Sequence, residues 1–440
     1  MISTAENISE RPFASDSDEA VGRIFRGLLR NFRGSAAIRI RNGVTHSIGS
    51  ARPAFTLVLQ DASILRRLVL NRSPIVLADA YFRGLVDFEG EFYAALRLKH
   101  HFQSLSLSWR ERAALLRDAL RLPSRPPEAA LTGALRSAEE EGFARRHSKK
   151  TDRAAISFHY DLSNEFYRLW LDEQMVYSCA YFQTPDDTLE QAQSNKLDLI
   201  CRKLRLRPGE RFLDLGCGWG ALACWAASRY GVHAHGITLS QRQLEYARQR
   251  IAALGLQDRV HLELRDYRDL PGEGVYDKVA SVGMFEHVGL ANLPLYTATV
   301  HRLLRPGGLF LNHGITHDEE GWNNTIASQF INRYVFPDGE LDCVSSIQRG
   351  MERSGFEIHD VEALRPHYAL TLRQWVKRLE AAREAAVREV GETAYRIWRL
   401  YMAACALEFE DGGTGVYQIL ASRRGSASMP VPLTRRDIYS

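Results

Sequence analysis

The chain has 440 residues, of which 45% are apolar and 25% are charged, and its formal net charge is +4. That length predicts two domains rather than a single core, and that composition is typical of a soluble globular protein. No apolar run approaches the ~20 residues that a membrane-spanning helix needs, and six cysteines without Cys-x-x-Cys spacing predict neither a metal site nor a disulfide framework.

The N-terminal third of the chain is more basic than the rest. Residues 1–20 are polar and acidic, unlike a signal peptide, and we expect them to be disordered in a cytoplasmic protein. Residues 1–150 hold 24 Lys and Arg against 16 Asp and Glu, a net charge of +8, so the remaining 290 residues carry −4. A basic first third suits an anionic surface, either a membrane leaflet or nucleic acid. Charge alone fits a set of solvated helix faces equally well.

Residues 21–120 are predicted to form a small α+β domain without a catalytic cluster. Its predicted elements are, in chain order, a basic amphipathic helix at 21–29, strands at 37–41 and 55–59, a helix at 75–84 and a strand at 85–90. The first helix places Ile24, Phe25, Leu28 and Leu29 on one side.

Residues 121–152 are predicted to be a linker. The segment carries three prolines, then the acidic run 139–141, then four basic residues between 145 and 150. Proline followed by blocks of charge seldom builds a core. A catalytic domain is therefore expected at 153–425, followed by a tail at 426–440.

Strand and helix patterns alternate through the second domain. The predicted elements are strands at 211–215, 232–237, 259–264, 276–282 and 308–313, and helices at 219–230, 240–254 and 292–304. Such alternation predicts an α/β fold with a doubly wound, mostly parallel, Rossmann-like sheet covered by helices on both faces. Ligands of these sheets bind at the carboxyl ends of the strands.

The most informative stretch is Arg211–Gly220, where an apolar strand runs into a glycine loop and then a helix. Glycines have no Cβ, so backbone N–H groups there can approach a bound nucleoside. The spacing Asp-x-Gly-x-Gly-x-Gly differs from the dinucleotide-binding Gly-x-Gly-x-x-Gly and resembles the first motif of S-adenosylmethionine (SAM)-dependent methyltransferases. Asp214, Gly216, Cys217 and Gly218 are therefore assigned to a SAM site. The alternative is a tight turn without a ligand.

Two further loops follow the neighbouring strands. Thr238, Leu239 and Gln243 come after the second strand, where many methyltransferases have an acid for the ribose hydroxyls; here Thr238 and Gln243 would supply the polar groups. After the third strand, Asp266 is predicted to bind the adenine amino group and Tyr267 to form an aromatic wall, which also suits a sulfonium cation. Each loop alone could be only a capped helix start or an exposed turn, but three such loops in this order favour a cofactor pocket.

Five longer motifs are more specific than these loops. They are His159–Tyr167, Tyr177–Phe182, Gly216–Gly220, Gly283–Gly289 and Pro366–Tyr368. Together they resemble the cyclopropane-fatty-acyl-phospholipid synthase family, whose features are shared by mycolic acid cyclopropane synthases and related fatty-acid methyltransferases. The resemblance covers about residues 155–422. More weakly, residues 80–90 resemble the N-terminal domain of the phospholipid-acting synthases.

The resemblance implies a specific reaction. SAM would donate a methyl group to one carbon of a cis double bond in an acyl chain, and positive charge would develop on the neighbouring carbon. A base, which in this family is a bound bicarbonate, would then remove a proton from the new methyl so that a ring closes. Such a site must hold an apolar chain, stabilise a cation and place a base near the methyl.

The same resemblance assigns the remaining site residues. Around the bicarbonate it implies Cys179, Glu286, His313, Ile315 and Tyr368. It also implies that Tyr177 and Ser178 contact SAM, and that Cys405 matches a cysteine proposed as a nucleophile. Cys405 lies within a predicted apolar helix. Apolar surroundings raise the pKa of a thiol, so they favour a packing role for Cys405 over a nucleophilic one.

These residue types suit an anion that both donates and accepts hydrogen bonds. His313 and Tyr368 could donate to bicarbonate while Glu286 accepts its O–H. Each residue also has a structural interpretation, since Glu286 could be a local cap, His313 a satisfied core histidine and Cys179 a small buried apolar residue. Gly314 departs from the threonine usual in the family, which we expect to loosen the anion site and which leaves ring closure open.

The sequence therefore predicts an enzyme that adds a methyl or methylene group to acyl chains of membrane phospholipids, peripherally bound at the inner leaflet and possibly homodimeric. A branched or otherwise methylated acyl product, a soluble metabolite as substrate, and a lipid-binding protein with an inactive site are the alternatives. Aromatic residues favour the lipid: Phe166, Trp170, Phe182, Phe330 and Phe336. Nucleic acid is not an expected partner, because no Asn-Pro-Pro-Tyr-type motif follows the strand at 276–282.

Overall fold

The computed structural model describes residues 16–41, 43–71, 74–124, 149, 162–322, 326–336, 339–425 and 431–439. The chain divides into two compact units, residues 1–137 and 138–440, and this division falls inside the segment predicted as a linker. Most of that linker, and the start of the motif at His159, lie outside the described residues. The predicted domain boundaries stay predictions.

The first unit contains a four-stranded sheet. Its strands are β1 (Ala36–Ile40), β2 (His46–Ile48), β3 (Phe55–Leu59) and β4 (Val86–Gly90), in the spatial order β2-β1-β3-β4. Strands β1 and β3 are parallel, and the other two neighbouring pairs are antiparallel. Its helices are α1 (Asp16–Leu28), α2 (Ser63–Asn71), α3 (Pro74–Phe82), α4 (Phe92–Leu96), α5 (Leu98–Ser104) and α6 (Trp109–Leu120).

Helix α1 corrects one boundary predicted from the sequence. It begins at Asp16, so residues 16–20 are helical rather than disordered. Three acidic residues lie in its first turn, where the helix dipole favours negative charge. Its apolar side faces inward, with Ile24, Phe25 and Leu29 buried. The sequence predicted the four elements that follow at 37–41, 55–59, 75–84 and 85–90 to within two residues, but not β2, α2, α4, α5 or α6.

The second unit contains a seven-stranded sheet. Its strands are β5 (Arg211–Leu215), β6 (His233–Thr238), β7 (Val260–Leu264), β8 (Tyr276–Val282), β9 (Leu304–His317), β10 (Phe356–Ala363) and β11 (Thr414–Arg423). They lie in the order β10-β11-β9-β8-β5-β6-β7. Strands β5 to β9 are parallel, and β11 runs antiparallel between β9 and β10. The predicted doubly wound, mostly parallel sheet is confirmed.

Helices cover both faces of this sheet. They are α7 (Asn164–Arg168), α8 (Leu189–Lys203), α9 (Ala221–Tyr230), α10 (Gln241–Ala253), α11 (Leu293–Leu303), α12 (Ile326–Tyr334), α13 (Val344–Arg353), α14 (Arg365–Ala381), α15 (Arg383–Asp411) and α16 (Arg436–Tyr439). Consecutive residues Phe212 and Leu213 of β5 are both fully buried, in two different apolar clusters. Burial on both faces explains why this strand is apolar without alternation.

The order of the strands fixes where a ligand can bind. From β5 the chain proceeds outward through β6 and β7, then returns to β8 on the other side of β5. Such a reversal leaves a crevice at the carboxyl ends of the central strands. Among the described residues, none of the helices is both long and apolar enough to cross a membrane.

Candidate active site

The glycine loop after β5 has the backbone that only glycine adopts without strain. Gly216, Gly218 and Gly220 have φ angles of 81°, 53° and 80°. A Cβ on Gly216 would lie 3.1 Å from Met284 Cγ, whereas a Cβ on Gly218 would meet no atom within 4 Å. The N–H groups of Gly216 and Cys217 donate to the Ile237 carbonyl, which ties the loop to β6. The glycines thus shape this wall rather than leaving all its N–H groups free for a ligand.

One cavity lies at the carboxyl ends of β5, β6, β7 and β8. All eleven residues assigned to the SAM site from the sequence line it: Tyr177, Ser178, Asp214, Gly216, Cys217, Gly218, Thr238, Leu239, Gln243, Asp266 and Tyr267. Thr238 Oγ1 donates to Gln243 Oε1 at 2.7 Å, which leaves the Gln243 amide NH2 as a donor on this wall. The three loops therefore meet around a single space.

The carboxylate of Asp266 is already engaged by a neighbour. It accepts hydrogen bonds from Arg268 N at 2.9 Å and Arg268 Nε at 2.8 Å. Burial would raise the pKa of Asp266, but these bonds and the guanidinium charge lower it overall. Both residues line the cavity, so Arg268 is a cavity residue that the sequence did not indicate. The adenine contact of Asp266 remains a prediction.

Lys196 is the most consequential residue that the sequence interpretation missed. It lines the cavity from α8, is 2% exposed, and donates from Nζ to Ser178 Oγ at 2.9 Å. Burial lowers its pKa to about 8, opposed by the negative charge of Asp172. Burial likewise raises the pKa of Asp214 to about 7, opposed by Lys196. The cavity wall therefore carries a buried ammonium beside a buried carboxyl whose Oδ2 has no hydrogen-bond partner.

Glu286 lies just outside this cavity, between two residues that line it, Met284 and His287. Its side chain is buried, and Oε1 accepts the backbone N–H of Ile315 at 2.7 Å. Its Oε2 atom is buried without a hydrogen-bond partner. Burial raises the pKa of Glu286 to about 7, and the bond from Ile315 opposes the shift. Near neutral pH the carboxyl can thus either donate or accept a proton.

His313 is buried on β9 and pairs with Gln418 of β11. The Gln418 amide Nε2 donates to His313 Nδ1 at 3.2 Å, so the imidazole proton resides on Nε2. That Nε2 atom has no hydrogen-bond partner. Burial and the positive charge of Lys196 lower the pKa of His313 well below its ordinary value. His313 is therefore a neutral imidazole whose Nε2–H can donate, and its contact with bicarbonate stays a prediction. Gln418 is an orienting partner that the sequence did not reveal.

The backbone of Leu364 links Cys179 and Tyr368 to the strands near Glu286 and His313. Its carbonyl accepts the Cys179 thiol at 3.8 Å and the Tyr368 backbone N–H at 3.1 Å. Its own N–H donates to Val416, which lies opposite Ile315 in the β9–β11 ladder. Hydrogen bonds through Leu364 and the β9–β11 ladder thus link the elements that carry the five predicted residues Cys179, Glu286, His313, Ile315 and Tyr368. Burial raises the pKa of the Cys179 thiol, so this residue is not a thiolate.

Cys405 lies half-buried in α15. It is one turn before Phe409, whose ring centroid is 4.7 Å from that of Tyr368. Its catalytic role stays a prediction.

Gly314 does not leave open space, contrary to the expectation from the sequence. A Cβ at this position would lie 2.1 Å from Phe285 Cε1 and 2.9 Å from Glu286 Oε1. The Phe285 ring therefore fills the volume that a threonine side chain would need. Gly314 is therefore closely packed against Phe285 next to Glu286.

Two of the aromatic residues taken to favour a lipid lie in the core of the second unit. Phe166 and Trp170 are fully buried, with ring centroids 6.1 Å apart, in a cluster that reaches Tyr177. Tyr177 lines the cofactor cavity. These two rings belong to the core and support the cavity wall, so they are not themselves a surface for an acyl chain.

The chain is similar to known proteins over most of its length. A family model described as mycolic acid cyclopropane synthetase matches residues 147–419. The chain is 43% identical over 405 residues to a probable fatty acid methyltransferase from Pseudomonas putida, which covers 91% of this chain and 95% of that protein. It is 40% identical over 276 residues to the cyclopropane-fatty-acyl-phospholipid synthase of Escherichia coli K12, covering 63% and 69%.

Two solved structures are similar to the chain. The cyclopropane synthase MmaA2 from Mycobacterium tuberculosis superposes with a TM-score of 0.58 at 32% identity, covering 63% of this chain and 99% of that one. The mycolic acid cyclopropane synthase CmaA1, solved with S-adenosylhomocysteine and CTAB, gives a TM-score of 0.58 at 34% identity, covering 61% and 98%.

Proposed function

This chain belongs to the mycolic acid cyclopropane synthetase family and is a SAM-dependent methyltransferase, and we propose that its acceptor is the cis double bond of an unsaturated acyl chain carried on a membrane phospholipid. The observation that carries the proposal is the placement of Glu286 and His313. Both side chains are buried, and each has an atom without a hydrogen-bond partner. Glu286 precedes the cavity-lining His287, and the His313 carbonyl accepts the N–H of the cavity-lining Gly283.

The cavity suits SAM in shape and in chemistry. Gly218 keeps one wall open, Gln243 offers an amide donor, and Lys196 with Ser178 offers positive charge and a hydroxyl for a carboxylate. Bound SAM would supply an electrophilic methyl group. The residues of the chain hold that cofactor against the strand ends and keep the neighbouring carboxyl and imidazole out of water.

The atoms beside the cavity also suit bicarbonate. His313 presents Nε2–H as a donor, and Glu286 presents Oε2, which accepts when ionised and donates when protonated. A bicarbonate held between them would supply the base for the final proton removal. Gln418 and Ile315 fix the two side chains in place, so the donor and the acceptor keep their positions during the reaction.

Incubation of the purified protein with SAM and vesicles of cis-unsaturated phospholipid tests the proposal. The expected product is 14 mass units heavier per modified chain, because a methyl is gained and a proton is lost. Glu286→Gln is expected to abolish the product, and the exposed Glu389→Gln serves as the matched control. No heavier product from several unsaturated lipids, with SAM bound to folded protein, would refute the phospholipid assignment.

A branched, still unsaturated acyl chain is the second candidate product. The relative from Pseudomonas putida is described as a probable fatty acid methyltransferase, and Gly314 alters the packing behind Glu286. Both products are 14 mass units heavier, but only the branched one retains its double bond. Proton NMR of the isolated acyl chains distinguishes them by cyclopropane or vinyl resonances.

A further inference from the structure

Helix α6 of the first unit presents an apolar stripe to solvent. Trp109, Leu116 and Leu120 have exposed fractions of 75%, 45% and 54%. Their spacing of seven and four residues places them within about 40° of one another around the helix, because an α-helix has 3.6 residues per turn. The exposed Ala113 lies in the same stripe.

Arginines flank this stripe on both sides. Arg110, Arg117 and Arg121 each follow one of the three apolar residues, so they form a parallel row about 100° away, and Arg112 lies on the opposite flank. All four are exposed. The guanidinium carbon of Arg110 is 5.2 Å from the centroid of the Trp109 ring.

The acidic residues of α6 point away from this surface. Glu111 forms the capping box with Ser108 at the start of the helix. Asp118 is buried and forms ion pairs with Arg23 of α1 and with Arg121, whose side chain stays exposed. On the inner face Leu115 and Ala119 are buried, and α6 packs against α1 and α2. The helix is therefore anchored to its unit by one face, while the opposite face is both apolar and cationic.

We propose that this face, formed by Trp109, Leu116, Leu120 and the four arginines, docks on an anionic lipid bilayer. A helix of this kind lies in the plane of the interface, with its apolar stripe between the headgroups and the acyl chains and its basic residues against phosphates. The inference rests on the proposed lipid substrate and names the surface through which the enzyme meets it.

The positive charge of this face favours an anionic bilayer as its partner over a second copy of the chain. A symmetric dimer would place the four arginines of one copy against the same four of the other, with no acidic residue of α6 on either face. An anionic leaflet satisfies both the apolar stripe and its basic flanks. It also accounts for a tryptophan at the end of the stripe, since an amphipathic ring suits the membrane interface.

Co-sedimentation of the full chain with vesicles tests the docking face. The wild type is expected to bind vesicles containing 30% phosphatidylglycerol far better than vesicles of phosphatidylcholine alone. The triple variant Trp109→Ala, Leu116→Gln, Leu120→Gln is expected to bind at least tenfold more weakly. Replacing Arg110, Arg117 and Arg121 by Gln should weaken binding by about fivefold per arginine at low salt. The control is Leu254→Gln with Leu295→Gln, two equally exposed leucines of the second unit.

Methyl transfer to detergent-dispersed unsaturated phospholipid is measured on the same proteins. If the variants keep full activity in detergent but no longer bind vesicles, the result supports the docking face. If the wild type shows no activity in detergent, the proposed phospholipid substrate is refuted, and the vesicle-binding results alone then test the docking face. Binding by the variants equal to that of wild type, or an equal loss in the control, overturns the inference. The inference is also overturned if the triple variant has half the molar mass of the wild type in light scattering and binds vesicles equally well, because the stripe would then be a dimer interface.

Discussion

Glu286 gives the sharpest prediction, because its pKa differs between the folded and unfolded chain. The ordinary value is 4.5, and burial raises the folded value to about 7. Between those pH values the folded protein keeps a proton that the unfolded chain has released. The contribution of Glu286 to stability is therefore fully present below pH 4.5 and is lost as the pH rises towards 7, by about 3 kcal/mol.

Glutamine at position 286 removes this dependence. Its amide oxygen can still accept the Ile315 N–H, and it resembles the protonated carboxyl in size and charge. At pH 5 the variant and the wild type should be about equally stable, whereas at pH 8 the variant should be more stable by about 3 kcal/mol. Urea unfolding of both proteins at pH 5, 6, 7 and 8 measures the difference, with Glu389→Gln as the control.

The same variant separates stability from catalysis. In the proposed reaction Glu286 holds the bicarbonate that acts as the base. Loss of general-base catalysis typically lowers turnover by about 10²–10⁴-fold, while the SAM cavity itself is untouched. Calorimetric SAM affinity should therefore stay within a few fold of the wild-type value. A stability difference that does not change with pH would refute the raised pKa, and equal losses of turnover and SAM affinity would show that Glu286 belongs to the cofactor wall.

Two further changes test the packing and the charge of the site. Gly314→Ala places a methyl 2.1 Å from Phe285, so we expect the free energy of unfolding to fall by about 1–3 kcal/mol. In the control Gly350→Ala, the added methyl meets no atom within 4 Å, so this variant should be more stable by up to ~1 kcal/mol. Equal melting temperatures of the two variants would contradict this. Lys196→Met removes a charged hydrogen bond to Ser178, so SAM affinity measured by calorimetry should fall by at least about tenfold, and an unchanged affinity would exclude Lys196 from the cofactor contacts.

The cofactor site was predictable because its determinants are local. The loop from Asp214 to Gly220 needs three left-handed residues in seven, and glycine is the only residue that supplies them without strain. Thr238 and Asp266 follow apolar strands, and the parallel sheet brings every such loop to one edge. The order of the loops therefore identified nine residues of the cavity wall, and the family resemblance added Tyr177 and Ser178.

The missed residues depend on partners distant in sequence. Lys196 lies on a helix, where a lysine is usually a solvated charge, and only tertiary packing against Ser178 buries it. Gln418 orients an imidazole 105 residues earlier in the chain. Strand β11, which carries Gln418, follows the helical segment Arg383–Asp411, which is kinked at Gly391. It pairs with β9 and β10 rather than with an adjacent element. Nothing in the local pattern specifies these pairings.

Helix α6 was missed for a different reason. Its outward stripe contains the apolar residues Trp109, Leu116 and Leu120, so a pattern search for a buried face finds two competing sides. The amphipathic helix that the sequence did indicate, α1, buries its apolar side in the first unit. Periodicity locates an apolar face but does not say whether protein covers it.

The position of β11 has a consequence for biosynthesis. This strand is the last of the sheet to leave the ribosome, yet it inserts between β9 and β10, which are made earlier. Until residue 423 has emerged, one edge of β9 is unpaired and His313 lacks the amide that orients it. A nascent or truncated chain that ends before β11 would therefore have the cofactor loops but not the Gln418 amide that orients His313. Formation of this part of the sheet therefore has to wait until β11 has been synthesised.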